Sequence, residues 1–122
     1  MKRVLVVEDD EMVQELMSRI LEKLGASFYI AGNRDKVEEA MTEVQTFDLA
    51  IVDLIMPFVT GWEVIDRIRS SSGKAATMPI VVLTGASVSD QEKDRLLKKV
   101  QEVVWKGHFT FTDFVTTLKR WI

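Results

Sequence analysis

The strict alternation of five short apolar runs with five amphipathic stretches constrains the fold of this chain more than any other feature. The apolar runs lie at 3–7, 28–31, 48–52, 79–83 and 102–105, and the last is the weakest. The first run is apolar on both faces and rich in β-branched residues, which is typical of a strand buried in a parallel sheet. Ten elements in this order predict an α/β domain whose parallel sheet is covered by helices on both faces.

The amphipathic stretches carry the start and stop signals of helices. In the first, Gly25 ends one helical stripe of apolar side chains, which consists of Val13, Leu16, Met17, Ile20, Leu21 and Leu24. Asn33 is a predicted N-cap for the second helix, whose buried stripe is Val37, Ala40, Met41 and Val44. Gly61 is predicted to open the third helix, and the segments 89–92 and 110–113 are capping boxes before the fourth and fifth.

Composition limits the class of protein. A chain of 122 residues with 47% hydrophobic residues has the size and make-up of one globular domain. The formal net charge of -3, without a cluster of Lys or Arg, is unlike a nucleic-acid surface. Cysteine is absent, which excludes disulfides and thiolate chemistry. The apolar run after Arg3 stops at Glu8, too early for a signal peptide or a membrane span, so we expect a cytoplasmic protein.

Five polar residues follow or end predicted strands. Glu8 and Asp9 follow the first strand, Asp53 follows the third, Thr84 ends the fourth and Lys106 follows the fifth. Taken singly, each has an ordinary explanation, because acids cap helices, Thr favours strands and Lys is usually solvated. These explanations do not account for their shared position. The carboxyl ends of parallel strands meet at one edge of a sheet, where ligands bind, so the sequence predicts one site there.

The residue types at this edge suit phosphoryl transfer. Three crowded carboxylates repel one another unless a cation lies among them, and hard oxygen ligands suit Mg²⁺. The carboxylate of Asp53 beside such a metal can attack phosphorus and form an aspartyl phosphate. The hydroxyl of Thr84 and the ammonium of Lys106 are donors that can neutralise charge on the phosphoryl oxygens.

The motifs at these strand ends match a known family. They read VLVVEDD at 4–10, VDLIMP at 52–57 followed by Gly61, VLTGA at 82–86 and WK at 105–106. In order and spacing, over nearly the whole chain, they resemble the receiver domain of two-component response regulators. The resemblance implies a doubly wound, five-stranded, flavodoxin-like (βα)5 sheet of strand order 2-1-3-4-5. It also implies a single receiver domain over 1–122, with no output domain in this chain, either as a whole protein or as the receiver part of a longer one.

The resemblance assigns roles to the site residues. Asp53 is the implied phosphoacceptor, with a histidine kinase or a histidine phosphotransfer protein as the donor. The implied ligands of Mg²⁺ are Asp9, Asp53 and the backbone carbonyl of Ile55, with Glu8 helping through water. Asp10, the third acid of the run, is not an expected ligand.

The resemblance also implies how the signal leaves the domain. Phosphorylation draws Thr84 inward and remodels the face made by helix four, strand five and helix five. In this chain that face comprises 89–100, Val103 and 110–122. A downstream protein partner is expected to read it. We expect a monomer or weak dimer, with no nucleic-acid or membrane partner.

Three departures from the family pattern lead to further predictions. Gly107 stands where a proline after a cis bond is usual, so we expect a trans Lys106–Gly107 bond and an unusual φ at Gly107. Val103 stands where an aromatic switch residue is usual, so the coupling from threonine to aromatic is expected to be weakened or built differently. Neither Ile55 nor Ala86 can hydrogen-bond a water, which predicts a long-lived phosphoryl group.

Three classes of function compete. The first is a phosphorylation-dependent switch that turns over no external substrate, although its own site accelerates phosphoryl capture and slow autodephosphorylation. The second is a Mg²⁺-dependent phosphohydrolase, which fits poorly because the position of its general acid is held by Ile55. The third is a docking module that has lost its switch, an alternative that Val103 and Gly107 keep open.

Overall fold

A computed structural model describes residues 2–85, 87–107 and 110–122 of the chain. Its five strands are β1 (Arg3–Val7), β2 (Ser27–Ala31), β3 (Leu49–Val52), β4 (Ile80–Thr84) and β5 (Glu102–Trp105). They form one sheet of order β2-β1-β3-β4-β5, and every neighbouring pair is parallel. The predicted α/β class and strand order 2-1-3-4-5 are confirmed.

The helices cover both faces of this sheet. They are α1 (Glu11–Lys23), α2 (Arg34–Thr42), α3 (Gly61–Arg69), α4 (Asp90–Leu97) and α5 (Phe111–Lys119). Two short 3-10 helices follow α2 and α3, at Val44–Thr46 and Gly73–Thr77. Buried side chains of α1 and α5 pack on one face of the sheet, and those of α2, α3 and α4 pack on the other. The sheet is therefore doubly wound.

Local signals set the ends of these helices as the sequence predicts. Gly25 follows α1 with a φ of 73°, the left-handed conformation that glycine adopts most readily. The side chain of Asn33 caps α2 by accepting from the backbone N–H of Lys36. Ser89 and Glu92 form a reciprocal capping box at the start of α4.

The core consists of two layers, one on each face of the sheet. All residues of β1 except Arg3, and all of β3 and β4, are buried. The largest buried ring is Phe47 in one layer and Phe114 in the other. Burying each Val, Leu, Ile or Phe stabilises the fold by about 1.5–3 kcal/mol. The three central strands are therefore the rigid platform from which the site residues project.

The structure differs from the sequence predictions in several details. Helix α2 ends at Thr42, so Val44 lies in the following 3-10 helix rather than on the helical stripe. Strand β4 begins at Ile80 rather than at Pro79, and it ends at Thr84 as predicted. Within the described ranges no peptide bond is cis, which confirms the trans Lys106–Gly107 bond. The expected unusual φ at Gly107 was wrong, because that residue has no positive φ. In the part of the chain that is described, no helix is long and apolar enough to cross a membrane.

Candidate metal and phosphoryl site

The carboxyl ends of four strands bring the predicted site residues to one edge of the sheet. Glu8 and Asp9 come directly after β1, and Asp53 comes directly after β3. The last residue of β4, Thr84, is paired in register with Trp105 of β5, and its carbonyl accepts from the backbone N–H of Lys106 at 2.9 Å. Adjacent strand ends therefore assemble residues that are up to 98 positions apart in sequence.

Three carboxylates converge at this edge. Glu8, Asp9 and Asp53 each offer a carboxylate oxygen, and these oxygens lie within 4.8 Å of one another. Glu8 and Asp53 are buried and Asp9 is half-buried. A cluster of three carboxylate oxygens suits a hard divalent cation such as Mg²⁺. The donor set therefore fits the ion that the sequence predicts.

Lys106 supplies the positive charge of the site. Its Nζ lies 3.0 Å from Oε2 of Glu8 and 3.1 Å from Oδ2 of Asp53. Burial alone would lower the pKa of Lys106, but the hydrogen bonds to these two carboxylates outweigh it and raise the pKa. Burial also raises the pKa of Glu8 to about 7, against the hydrogen bonds from the Asp10 backbone and Lys106. Two buried carboxylates so close together need a cation beside them. In this structure the ammonium of Lys106 is that cation.

The position of Asp53 is fixed by backbone contacts on both sides. Its N–H donates to the carbonyl of Val7 at 3.0 Å, and its Oδ1 accepts from the N–H of Ile55 at 3.4 Å. The first residue of α3, Gly61, donates to the carbonyl of Leu54 at 2.8 Å. A Cβ at Gly61 would lie only 2.1 Å from the carbonyl oxygen of Asp53, so this close approach of α3 requires glycine.

A cavity of about 360 Å³ opens beside Thr84. It is lined by Thr84, Gly85, Ser87, Trp105 and Gly107. Thr84 itself is fully buried, while the indole of Trp105 is half-buried. In contrast, Val103 packs against the buried cluster on the α3 and α4 side of the sheet. Among the described residues, Trp105 is therefore the aromatic residue paired with the end of β4, two residues beyond the position at which the family pattern places its ring.

Other predicted residues have separate positions. Asp10 lies outside the carboxylate cluster and caps α1, because its side chain accepts from the backbone N–H groups of Met12 and Val13. The side chain of Ile55 is exposed beside Asp53. The position of its carbonyl as a metal ligand stays a prediction. Ala86 lies outside the described residues.

One residue of the site was missed from the sequence. The side-chain amide of Gln14 donates through Nε2 to the carbonyl of Glu8 at 2.7 Å. A glutamine in the first turn of an amphipathic helix reads as a solvated residue, so no sequence pattern indicated this contact. Only the packing of α1 against the end of β1 reveals it.

The family model of the response regulator receiver domain matches residues 4–118. The chain therefore belongs to the family of response regulator receiver domains. It is 32% identical over 121 residues to the probable C4-dicarboxylate response regulator DctR of Halalkalibacterium halodurans, a match that covers 98% of this chain and 50% of that protein. It is 33% identical over 95 residues to the transcriptional regulatory protein YrkP of Bacillus subtilis, covering 78% of this chain and 38% of that protein. The chain thus spans half or less of the length of these relatives.

Solved structures of receiver domains superpose on this chain over nearly its whole length. The chemotaxis protein CheY4 of Vibrio cholerae superposes with a TM-score of 0.83 at 25% identity, covering 100% of this chain and 99% of that chain. The receiver domain of the sensor histidine kinase PA1611 of Pseudomonas aeruginosa superposes with a TM-score of 0.79 at 20% identity, covering 98% and 96% of the two chains. That receiver domain was crystallised with a magnesium ion coordinated in its active-site cleft. Both superpositions support the CheY-like fold.

Proposed function

We propose that this chain is a phosphorylation-dependent switch in which Asp53 accepts a phosphoryl group from a histidine kinase or a histidine phosphotransfer protein. The observation that carries the proposal is the buried carboxylate of Asp53, held 3.1 Å from the ammonium of Lys106 and clustered with Glu8 and Asp9. A structural ion pair would need one acid and one base. This site has two further acids, which leaves room for a second cation and a reaction.

The proposed reaction is a displacement at phosphorus. An oxygen of the Asp53 carboxylate forms a new bond to phosphorus, and the bond from phosphorus to the donor imidazole nitrogen breaks. The electron pair of that bond remains on the imidazole of the donor protein. Asp53 becomes an acyl phosphate, and no oxidant or external base is consumed.

Lys106 and Thr84 bind the transferred group in this proposal. The ammonium of Lys106 is already within hydrogen-bonding distance of Asp53. After the transfer it donates to a negatively charged phosphoryl oxygen. Thr84 ends the neighbouring strand and offers a hydroxyl to another oxygen. Thr84 must move or rotate to do so, and this movement is the proposed start of the switch.

The proposed magnesium site uses the side chains of Glu8, Asp9 and Asp53 with the backbone carbonyl of Ile55. The convergence of three carboxylate oxygens supports it. When bound, Mg²⁺ supplies positive charge that offsets the repulsion between the carboxylates and the incoming phosphoryl group. Asp9 is the most accessible of the three acids and is the proposed entry ligand.

We propose that the signal leaves through the face made by α4, β5 and α5, where a downstream protein partner binds. The coupling from Thr84 is proposed to pass through Trp105 rather than Val103. Support comes from the direct pairing of Thr84 with Trp105 and from the cavity that they share. We propose that the indole turns into that cavity when Thr84 moves.

The wider setting is also a proposal. We place the protein in the cytoplasm as a monomer or weak dimer, with 1–122 acting as one receiver domain without turning over an external substrate. The absence of cysteine and the net charge of -3 support this setting.

Beryllofluoride, a mimic of the phosphoryl group, tests the switch. The protein with Trp62→Phe and Trp121→Phe keeps Trp105 as its single tryptophan. With Mg²⁺ and beryllofluoride we expect a change in the fluorescence of Trp105, and no change when Asp53→Asn is added. Unaltered fluorescence together with no binding of beryllofluoride by calorimetry would favour a docking module that has lost its switch.

A further inference from the structure

Gln14 holds the peptide that joins the first two acids of the site. Its Nε2 donates to the carbonyl oxygen of Glu8 at 2.7 Å. This carbonyl belongs to the planar peptide between Glu8 and Asp9, so the bond orients the unit from which both carboxylates project. The backbone contact that Glu8 makes with the sheet, its N–H to the carbonyl of Ala31, is long at 3.4 Å. The bond from Gln14 is therefore the shorter of these two contacts of the Glu8 backbone.

Gly32 makes room for the amide of Gln14. A Cβ at Gly32 would lie 2.5 Å from Nε2 of Gln14, closer than such atoms approach, but 3.5 Å from the carbonyl oxygen of Glu8. Any larger residue would therefore displace the glutamine amide rather than the backbone of the site. Gly32 has no positive φ, so the conformational freedom of glycine does not explain its presence. The close approach of the Gln14 side chain explains why glycine is present at position 32.

We propose that Gln14 is a positioning residue for the metal site and that Gly32 leaves the space that the side chain of Gln14 occupies. Gln14 touches no reacting atom and instead limits the rotation of the Glu8–Asp9 peptide. The inference rests on the proposed function, because it assumes that these acids bind Mg²⁺. If Gln14 only provided a hydrogen bond to the Glu8 carbonyl, its loss would affect the stability of the fold and leave Mg²⁺ binding unaltered.

Isothermal titration with Mg²⁺ alone tests the inference in Gln14→Ala, Gly32→Ala and the double variant. We expect each single variant to bind Mg²⁺ about five-fold more weakly, which corresponds to the loss of one hydrogen bond. The double variant is expected to bind no more weakly than Gln14→Ala, because the shortened side chain no longer meets the new Cβ. Gln91→Ala, at an exposed position of α4, is the matched control and should bind like the wild type.

Two further measurements separate positioning from stability. In Gln14→Ala and Gly32→Ala, the rate of phosphoryl capture from acetyl phosphate should be lower than in the wild type at low Mg²⁺. At saturating Mg²⁺ it should equal the wild-type rate, since Asp53, Thr84 and Lys106 are intact. Thermal melting without metal shows whether each variant is folded. A variant that does not melt cooperatively is replaced by Gln14→Met, which keeps the length of the side chain but lacks the donor.

The outcomes are distinct. If the wild type binds Mg²⁺ and both single variants bind it equally well, the positioning role of Gln14 is refuted while the proposed function stands. Weaker Mg²⁺ binding in Gln14→Ala together with unaltered binding in Gly32→Ala would refute the claim that Gly32 is needed to leave space for Gln14. If the wild type itself binds no Mg²⁺, the proposed function fails and this inference fails with it.

Discussion

The Nζ atom of Lys106 lies 3.1 Å from Oδ2 of Asp53, although the two residues are 53 positions apart in the chain. The same ammonium contacts Glu8 at 3.0 Å, so one cation bridges two buried carboxylates. In the proposed reaction this ammonium has two opposing effects. It neutralises the transferred phosphoryl group, and it repels the divalent cation that the same carboxylates would bind.

Replacing Lys106 by Met should therefore change metal binding and chemistry in opposite directions. We expect Mg²⁺ to bind Lys106→Met about five-fold more tightly, because about 1 kcal/mol of cation repulsion at a partly buried site is removed. Capture from acetyl phosphate at saturating Mg²⁺ should slow by about 100-fold, the usual loss for one preorganised donor. Calorimetry and a single-turnover assay measure the two effects.

Lys99→Met is the matched control for this prediction, since its ammonium pairs with the exposed carboxylate of Asp66. It should change neither quantity. Weaker Mg²⁺ binding in Lys106→Met would show that the ammonium organises the carboxylates instead of competing with the metal.

Gly61→Ala should damage both the fold and the site. The new Cβ would lie 2.1 Å from the carbonyl oxygen of Asp53 and 2.6 Å from the Cα of Leu54, both backbone atoms that cannot turn away. We expect the free energy of unfolding to fall by about 2 kcal/mol or more, as for other overpacked sites. Chemical denaturation measures this loss.

The control for Gly61→Ala is Gly107→Ala, whose added Cβ meets no atom within 4 Å and should leave stability nearly unchanged. Equal stability of the two variants would mean that α3 does not approach Asp53 as closely as the structure has it.

The phosphoryl group on Asp53 should be long-lived. The exposed side chain of Ile55, beside Asp53, has no atom that can hydrogen-bond an attacking water. Ile55→Asn introduces such a group and should shorten the lifetime by about ten-fold, less than a fully positioned general base achieves. Phosphate release after removal of acetyl phosphate measures both lifetimes. A lifetime of seconds in the wild type would contradict the prediction.

Asp48 should contribute stability that depends on pH. The ammonium of Lys74, at 2.7 Å, and the backbone N–H of Arg3, at 2.9 Å, hold the pKa of Asp48 below its usual value. A carboxylate with a lowered pKa stabilises the fold above its unfolded pKa, about 4, and loses that contribution as the pH falls through its folded pKa.

Asp48→Asn should therefore be less stable than the wild type by about 1 kcal/mol near neutral pH, and the difference should vanish at acid pH as Asp48 becomes protonated. Asp94→Asn, on the exposed surface of α4, is the control and should be as stable as the wild type near neutral pH. A constant difference between Asp48→Asn and the wild type at all pH values would exclude the ionised carboxylate as its cause.

Sequence reasoning predicted the sheet and the edge at which the site lies because both follow from short-range patterns. The apolar runs predicted β1 and β5 with the bounds that the structure has, and Ser89 with Glu92 predicted the capping box of α4. Alternation of strands and helices then places polar residues after the strands at one edge. No contact between distant residues was needed for these predictions.

The geometry inside the site could not be predicted in the same way. The contact of Gln14 with the Glu8 carbonyl depends on how α1 packs against β1 and on the missing Cβ of Gly32. The bridging of Glu8 and Asp53 by one ammonium depends on how far the Lys106 side chain reaches across the strand ends. Such contacts are set by three-dimensional packing and have no periodic signal in the sequence.

The identity of the phosphoryl acceptor is the central claim, and reductive trapping tests it most directly. The protein is incubated with acetyl phosphate and Mg²⁺, the acyl phosphate is reduced with borohydride, and the modified residue is located by peptide mass spectrometry. We predict reduction at Asp53 alone, and none in the Asp53→Asn variant. Modification at Asp9 or another carboxylate, or no acyl phosphate in a protein that binds Mg²⁺, would contradict the claim.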